Sequence, residues 1–317
     1  MAISTATAPS GLTVSLGRRK VKNNIATVLV TACFLIAVVP LVWLLWTVVS
    51  KGIGVVLHAS WWSSDQRNSQ DWRVAGGGAL HAIVGTVEQV ALCSVISVPV
   101  GVLAAVYLVE YGRGRLRSTV TFMVDILSGI PSIVAALFIY ALFIIEFGAV
   151  FAGVYAAFAF VLLMIPVIVR TTEEMLKLVP NELREASYAL GVPKWKTIMK
   201  VVLPTAWSGI LTGIVLGVAR VAGETAPLLI LVHYSATTNY NLFSGDQASL
   251  PLSIFNQFPN YANEGSTKNP FTGVAQVTHN YAGPRMWGFA LTLILLVMLL
   301  NLVARGIARW KAPKTGR

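Results

Sequence analysis

Acidic residues are scarce: 13 Asp and Glu stand against 24 Lys and Arg, and charged residues of all kinds make up only 12% of the 317. A soluble domain carries about twice that charged fraction, so a large soluble chain is excluded. Cysteine is scarcer still, at two. Cys33 and Cys93 both lie inside apolar runs without Cys or His at ligand spacing. That excludes a disulfide framework and a metal ribbon, and reads both as small buried hydrophobes. Chemistry-bearing strings are missing as well. No G-x-x-x-x-G-K-[ST] occurs; GRGRLRST at 112–119 lacks the lysine and abuts an apolar run instead of following a strand. The glycines at 76–78 lead into an apolar run too. No Ser-His-Asp order, HExxH or paired-carboxylate arrangement is present, and His58, His81, His233 and His279 lie at or outside the ends of apolar runs. A non-catalytic chain is expected, with no metal and no cofactor of its own.

What is abundant is hydrophobicity: 56% of residues, with a mean hydropathy of +0.70. Six runs are long enough to cross a bilayer, roughly 25–50, 82–109, 119–146, 149–170, 205–232 and 286–308. The expected fold is an all-α polytopic membrane protein of about six transmembrane helices. The net charge of +11 suggests nucleic acid at first sight, but the basic residues cluster at the ends of these runs and not on one face. Arg18, Arg19, Lys20 and Lys22 precede the first run; Arg113, Arg115 and Arg117 follow the second. Arg170, Lys177, Arg184, Lys194, Lys196 and Lys200 fill the central connection, and Arg305, Arg309, Lys311, Lys314 and Arg317 follow the last run. The opposite connections hold Lys51, Arg67, Arg73, Lys268 and Arg285. The positive-inside rule makes both termini cytoplasmic, as an even number of crossings requires. The organisation read from this is a cytoplasmic tail at 1–24, a retained first crossing at 25–50, a transmembrane domain at 80–310 with a long outer segment at 233–285, and a cytoplasmic tail at 311–317. A cleaved leader would have a shorter apolar core than the 25–50 run. The tryptophans of the first outer segment, Trp61, Trp62 and Trp72, suit anchors at the membrane interface.

Between the fourth and fifth crossings lies a patterned polar stretch, 181–204. Leu183, Ala186, Ser187 and Leu190 recur at helical spacing, then Trp195, Ile198, Met199 and Val202 do the same. Asn181 suits a helix cap, Gly191 a left-handed helix end, Pro193 a first turn and Pro204 a break. The reading is a cytoplasmic pair of short helices with an apolar face in need of a partner.

Charges inside the crossings are costly, so each marks a candidate site. In the fifth run Gly209, Gly213 and Gly217 are spaced by four, and Arg220 falls about 20° from Gly213 on a helical wheel, with Glu224 about 40° further round. Glycines and charges are expected to share an inward face, with Arg220 and Glu224 paired and Pro227 kinking the helix beside them. In the third run Asp125 precedes SGIPSIV, where Pro131 interrupts the helix and the Ser128 and Ser132 hydroxyls either donate to a passing solute or repair freed carbonyls. Glu88, near the outer end of the second run, reaches the interface or pairs with His81.

Glu185, Ala186, Gly191, Leu203 and Pro204 stand at the spacing of the EAA motif, and this segment resembles the cytoplasmic loop of permease subunits in bacterial ATP-binding-cassette importers. Ser187 replaces the motif's second alanine and Val201 its isoleucine. ARVAGETAPLL, SGIPSIVAALFIY, AIVGTVEQV and VPVGVLAAVYLVEY further resemble the phosphate-importing branch, over about 80–310; the first 20 residues and 239–284 carry no matching motif. The resemblance implies half of a two-permease pore in the bacterial cell membrane, paired with a homologous permease subunit. It also implies two separate ATP-binding subunits, which hold ATP and Mg, and an extracytoplasmic phosphate-binding protein. Glu185, Ala186, Ser187, Gly191, Leu203 and Pro204 would couple to the ATPases. Arg220 and Glu224, with Thr225, Ser128 and Ser132, would line the substrate path, Arg220 passing from Glu224 to phosphate. Another importer cargo, or a proton-coupled carrier using Glu224 or Asp125, is the alternative; such a carrier has no need of the 181–204 helix pair.

Overall fold

The computed structural model describes residues 16–71, 73–261, 267–268, 275–276 and 280–311. Trp72, His279 and the 312–317 tail lie outside the described residues. In chain order the helices are α1 Leu16–Val56, α2 Ala59–Ser63, α3 Leu80–Val106, α4 Gly114–Gly129, α5 Ser132–Ile139, α6 Gly153–Lys177, α7 Asn181–Ala189, α8 Lys194–Thr197, α9 Leu203–Ala222, α10 Ala226–Leu231, α11 Leu250–Tyr261 and α12 Ala282–Lys311. Wider π turns extend α3 through Tyr107–Tyr111 and α5 through Tyr140–Glu146, and join α8 to α9 through Ile198–Val202. A two-residue antiparallel ladder, Thr267–Lys268 with Ala275–Gln276, interrupts an otherwise helical fold. Met1–Ser50 and Lys51–Arg317 form separate compact units.

Five helices are long and apolar enough to cross a membrane, and six crossings result if the bent pair α4 with α5 counts as one. The expected 119–146 crossing is that pair: its halves meet at 105°. Pro131 occupies the cap position of α5 with extended backbone, ψ 141°. It cannot donate a helical bond back across the junction, so the chain turns there. The first crossing also differs, because α1 begins at Leu16, inside the stretch assigned to a cytoplasmic tail.

In the second unit α6 is the central element, packing on α3, α4, α5, α9 and α10. Ala156, Ala159, Phe160, Met164 and Ile168 of α6 meet Val90 and Cys93 of α3 and Val221 of α9 in one apolar cluster. Cys93 is fully buried, as its run predicts, whereas Cys33 of α1 is exposed, contrary to the expectation for it. The glycines of α9 permit close approach to α6: a Cβ on Gly209 would enter the Met175 side chain, and one on Gly213 the Thr171 side chain.

The described parts of the connections 51–81 and 233–285 pack as part of this body. Trp61 is 1% exposed and donates its indole N–H to Thr292 Oγ1 at 2.9 Å. It is a core residue, not the interface anchor expected of it. Arg285, also buried, donates to the carbonyls of Gly76 at 3.0 Å, Asp71 at 3.3 Å and Val74, closing the first outer loop. Gln247 donates to Glu88 Oε2 at 2.5 Å, so Glu88 pairs with the second outer segment, while His81 Nε2 meets Tyr234 at 3.4 Å.

Candidate functional site

Two places matter for the residues singled out by sequence: the cleft where α4, α6 and α9 meet, whose cavity is lined by Arg220 and Ser128 but not by Glu224, Thr225 or Ser132, and the α7–α8 pair.

In the cleft, Arg220 sits two residues before the end of α9 and its side chain is 56% exposed. Gly213 and Gly217 are buried against α6. The expected shared face therefore divides. Close packing buries only a narrow strip of glycines, and the long arginine stem carries its guanidinium past that strip. Glu224 is not on the same helix. α9 ends at Ala222, and Gly223, Glu224 and Thr225 form an irregular link before α10. The break falls ahead of Pro227, which sits in the first turn of α10, where a residue without N–H starts a helix readily. Arg220 Nε and Glu224 Oε1 are 4.0 Å apart, too long for a hydrogen bond, so the pair is loose. Thr225 takes the cap position of α10 without a capping side-chain bond, and Ser132 opens α5.

Arg220 lines a cavity of about 250 Å³ together with Ser128, Ile130, Pro166, Arg170 and Thr171. Ser128 Oγ donates to the Val124 carbonyl at 2.8 Å, and Thr171 Oγ1 to Val167 at 2.8 Å. Both hydroxyl protons are thus committed to backbone within their own helices, Ser128 back-bonding four residues along α4 rather than to a carbonyl freed by Pro131. The charged donors of the cavity are the two guanidinium groups. Sequence reasoning placed Arg170 among the cytoplasmic bases; the fold brings it to the cavity wall. It bonds Asp125 of α4 and, at 2.9 Å, Glu173, whose other oxygen accepts from Lys177 at 2.7 Å. A basic residue three before a Glu and seven before a Lys was the available signal: such spacing stacks charges along one helix face. Asp125 is 58% exposed and Arg170 34%. Charges this accessible on crossing helices do not face hydrocarbon, so this side of the bundle meets water or another subunit.

The α7–α8 pair forms as a tight helical hairpin. Gly191 takes φ +76°, the left-handed end its position predicts. Asn181 is the first helical residue and not the cap; Pro180 holds that position, and Asn181 Oδ1 accepts from Arg184 at 3.3 Å. Pro204 does not break the chain either. The π turn Ile198–Val202 widens the helix just before it, and Lys194–Ala222 runs on as a single crossing. Leu203 and Pro204 are therefore the first residues of α9, continuous with the hairpin.

The single apolar face read from sequence is split. Ser187, Thr197, Ile198 and Val202 turn inward, with Ser187 Oγ and Thr197 Oγ1 2.8 Å apart across the hairpin. Leu183, Tyr188, Leu190, Trp195 and Met199 are exposed, and so are Glu185 and Ala186. Sequence reasoning missed the anchor beneath them. Arg184 donates from Nε and Nη2 to Glu110 Oε1 at 3.1 and 3.0 Å and to the Leu176 and Val179 carbonyls at 3.0 and 2.6 Å. Lys194 bonds the Glu110 carbonyl and lies 4.7 Å over the Tyr111 ring. A lone acid at the end of an apolar run was the sign that could have found Glu110.

Among the described residues no group of His, Cys, Asp or Glu is placed to hold a metal. Residues 97–317 match the family described as binding-protein-dependent transport system inner membrane component. The chain is 48% identical over 287 residues to the phosphate transport system permease protein PstA 1 of Mycobacterium tuberculosis, covering 90% of this chain and 88% of that one. It is 40% identical over 295 residues to PstA of Yersinia pestis, covering 91% and 90%. Among solved structures, a chain of a bacterial alginate ABC transporter in complex with its periplasmic protein aligns at TM-score 0.62 and 12% identity, over 94% of this chain and 99% of that one. The MetNI methionine ABC transporter aligns at 0.52 and 22%, over 72% and 92%. Both likenesses concern the fold. The chain belongs to the binding-protein-dependent transport system inner membrane component family, and within it to the PstA group.

Proposed function

We propose that this chain is the permease subunit of an ATP-driven importer of inorganic phosphate, forming half of the translocation path beside a homologous, PstC-like permease. Two ATP-binding subunits dock on the exposed Leu183, Leu190, Trp195 and Met199 face of the hairpin, with Glu185 and Ala186 at its edge. A phosphate-binding protein docks on the outer side, and both termini are cytoplasmic. ATP and Mg belong to the ATPases.

The observation that carries the reading is Arg220, more than half exposed on a cavity wall inside a membrane bundle, with its carboxylate neighbour 4.0 Å away. Phosphate near neutral pH is a mono- to dianion that must shed water to cross. A guanidinium offers two parallel donors to replace that water. Glu224 repels the same anion and neutralises Arg220 when none is present. Continuity of Lys194–Ala222 supports the coupling: the α8 arm of the hairpin runs on without a break into the helix bearing Arg220.

The test is labelled phosphate uptake in proteoliposomes carrying this chain and its permease partner, with and without ATPase subunits, binding protein and ATP. Uptake that requires all of them and is competed by arsenate more than by sulfate supports the reading. Uptake by the two permeases alone under a proton gradient, or competition by sulfate or an amino acid instead, overturns it.

A further inference from the structure

We infer that Arg170 is a second anion-binding residue on the same path and that Asp125 is the counter-ion phosphate displaces from it; this rests on the phosphate-permease reading above. Arg170 and Arg220 come from different helices, α6 and α9, and line one cavity of about 250 Å³. The hydroxyl protons of Ser128 and Thr171 in its wall are turned to backbone, so an anion entering it finds its charged donors on the two arginines. Their resting partners differ. Arg220 has one loose neighbour in Glu224 at 4.0 Å. Arg170 has two: Glu173, 2.9 Å away and 8% exposed, and Asp125, 58% exposed.

The two carboxylates play separate parts. Glu173 is shared with Lys177 at 2.7 Å on the same helix, and it holds the Nη1 edge of Arg170 in place whatever else binds. Asp125 stands on α4, ahead of the 105° turn at Pro131, and bonds Arg170 Nη2, whereas Glu173 bonds Nη1. A phosphate oxygen in the cavity lined by Arg170 competes with Asp125 for that Nη2 edge. Exchange of one anion for the other keeps the arginine neutralised at every stage, which avoids the cost of an unpaired charge in a bundle. It also removes the ion pair between α4 and α6, so occupancy of the site is passed to the bent third crossing.

A merely structural Arg170–Asp125 pin and an exchanging pair make opposite forecasts. If the pair only fastens α4 to α6, losing either member is equivalent. If Arg170 binds phosphate, Arg170→Gln and Asp125→Asn diverge. Uptake is measured in proteoliposomes with the complete transporter, labelled inorganic phosphate and internal ATP, and assembly is checked by co-purification of the ATPases. Expected are a loss of at least about tenfold for Arg170→Gln and a KM raised severalfold with little change in kcat for Arg170→Lys, which keeps charge but not the planar fork. Asp125→Asn, which removes the anion that phosphate has to displace, is expected to lower KM at least about threefold, opposite in sign to Arg170→Lys. Wild-type uptake with an undiminished Arg170→Gln variant, or equal losses in Arg170→Gln and Asp125→Asn, overturns the inference while leaving the permease reading intact. Should Arg170→Gln fail to assemble, an unchanged KM in Arg170→Lys overturns it instead. No phosphate uptake by the wild-type complex removes the underlying reading.

Discussion

The Arg184 guanidinium lies 3.0 Å from the Glu110 carboxylate, a pair 13% and 6% exposed that ties α7 to the π turn Tyr107–Tyr111 at the end of the second crossing. It joins the α7–α8 hairpin to a second helix besides α9, to which the hairpin is covalently continuous. Removing one member of a buried pair strands the other, at a cost of about 3 to 5 kcal/mol. Glu110→Ala is therefore expected to destabilise the detergent-solubilised complex and to weaken retention of the ATPases. Arg184→Ala is expected to act alike, and the double variant to fall well short of the sum of both. Melting of the three variants, followed with co-purification, checks this; additive losses would show the contact to be incidental.

At the hairpin tip conformation and contact separate cleanly. Nothing lies within 4 Å of where a Gly191 side chain would begin, so only its φ of +76° constrains the residue. Gly191→Val is expected to cost about 1 to 2 kcal/mol locally and to abolish ATPase association, whereas Gly191→Asn keeps both association and transport. Glu185→Lys, on an exposed site, is expected to leave melting unchanged while ATPase co-purification and uptake are lost. Normal ATPase binding by Gly191→Val and Glu185→Lys together would sink the coupling assignment.

Much of this was legible in the sequence, and the failures have physical causes. Helical spacing and Gly191 announced the hairpin because a left-handed helix end leaves a local mark. Pro204 was misread as a break because a widened turn just before a proline has no composition of its own. Arg220 and Glu224 were placed on one helix because wheel arithmetic assumes the helix continues, and α9 stops at Ala222. Pro131 was seen as an interruption, but its 105° angle depends on what α4 and α5 pack against. Arg170 was read by its position near the end of a crossing. Its approach to Arg220 is a property of α6 against α9, which one chain's pattern does not record.

The α6–α9 seam gives a graded test of that packing. A Cβ on Gly213 would enter the Thr171 side chain, whereas one on Gly217 would meet Met164 at 3.5 Å, an ordinary contact. Gly213→Ala is expected to destabilise by about 1 to 3 kcal/mol and Gly217→Ala to be nearly neutral. Thermal melting of the two purified variants decides; equal behaviour would contradict the close approach of α6 and α9.

In the proposed permease Arg220 is the residue on which phosphate passage depends most directly, and labelled phosphate uptake through the assembled transporter carrying Arg220→Gln tests it. Glutamine keeps hydrogen-bonding capacity and most of the length but removes the charge. The expectation is a complex that assembles with both ATPases yet takes up phosphate at least about tenfold more slowly than wild type. Undiminished uptake by the assembled variant would contradict it, reducing Arg220 to a brace on the cavity wall.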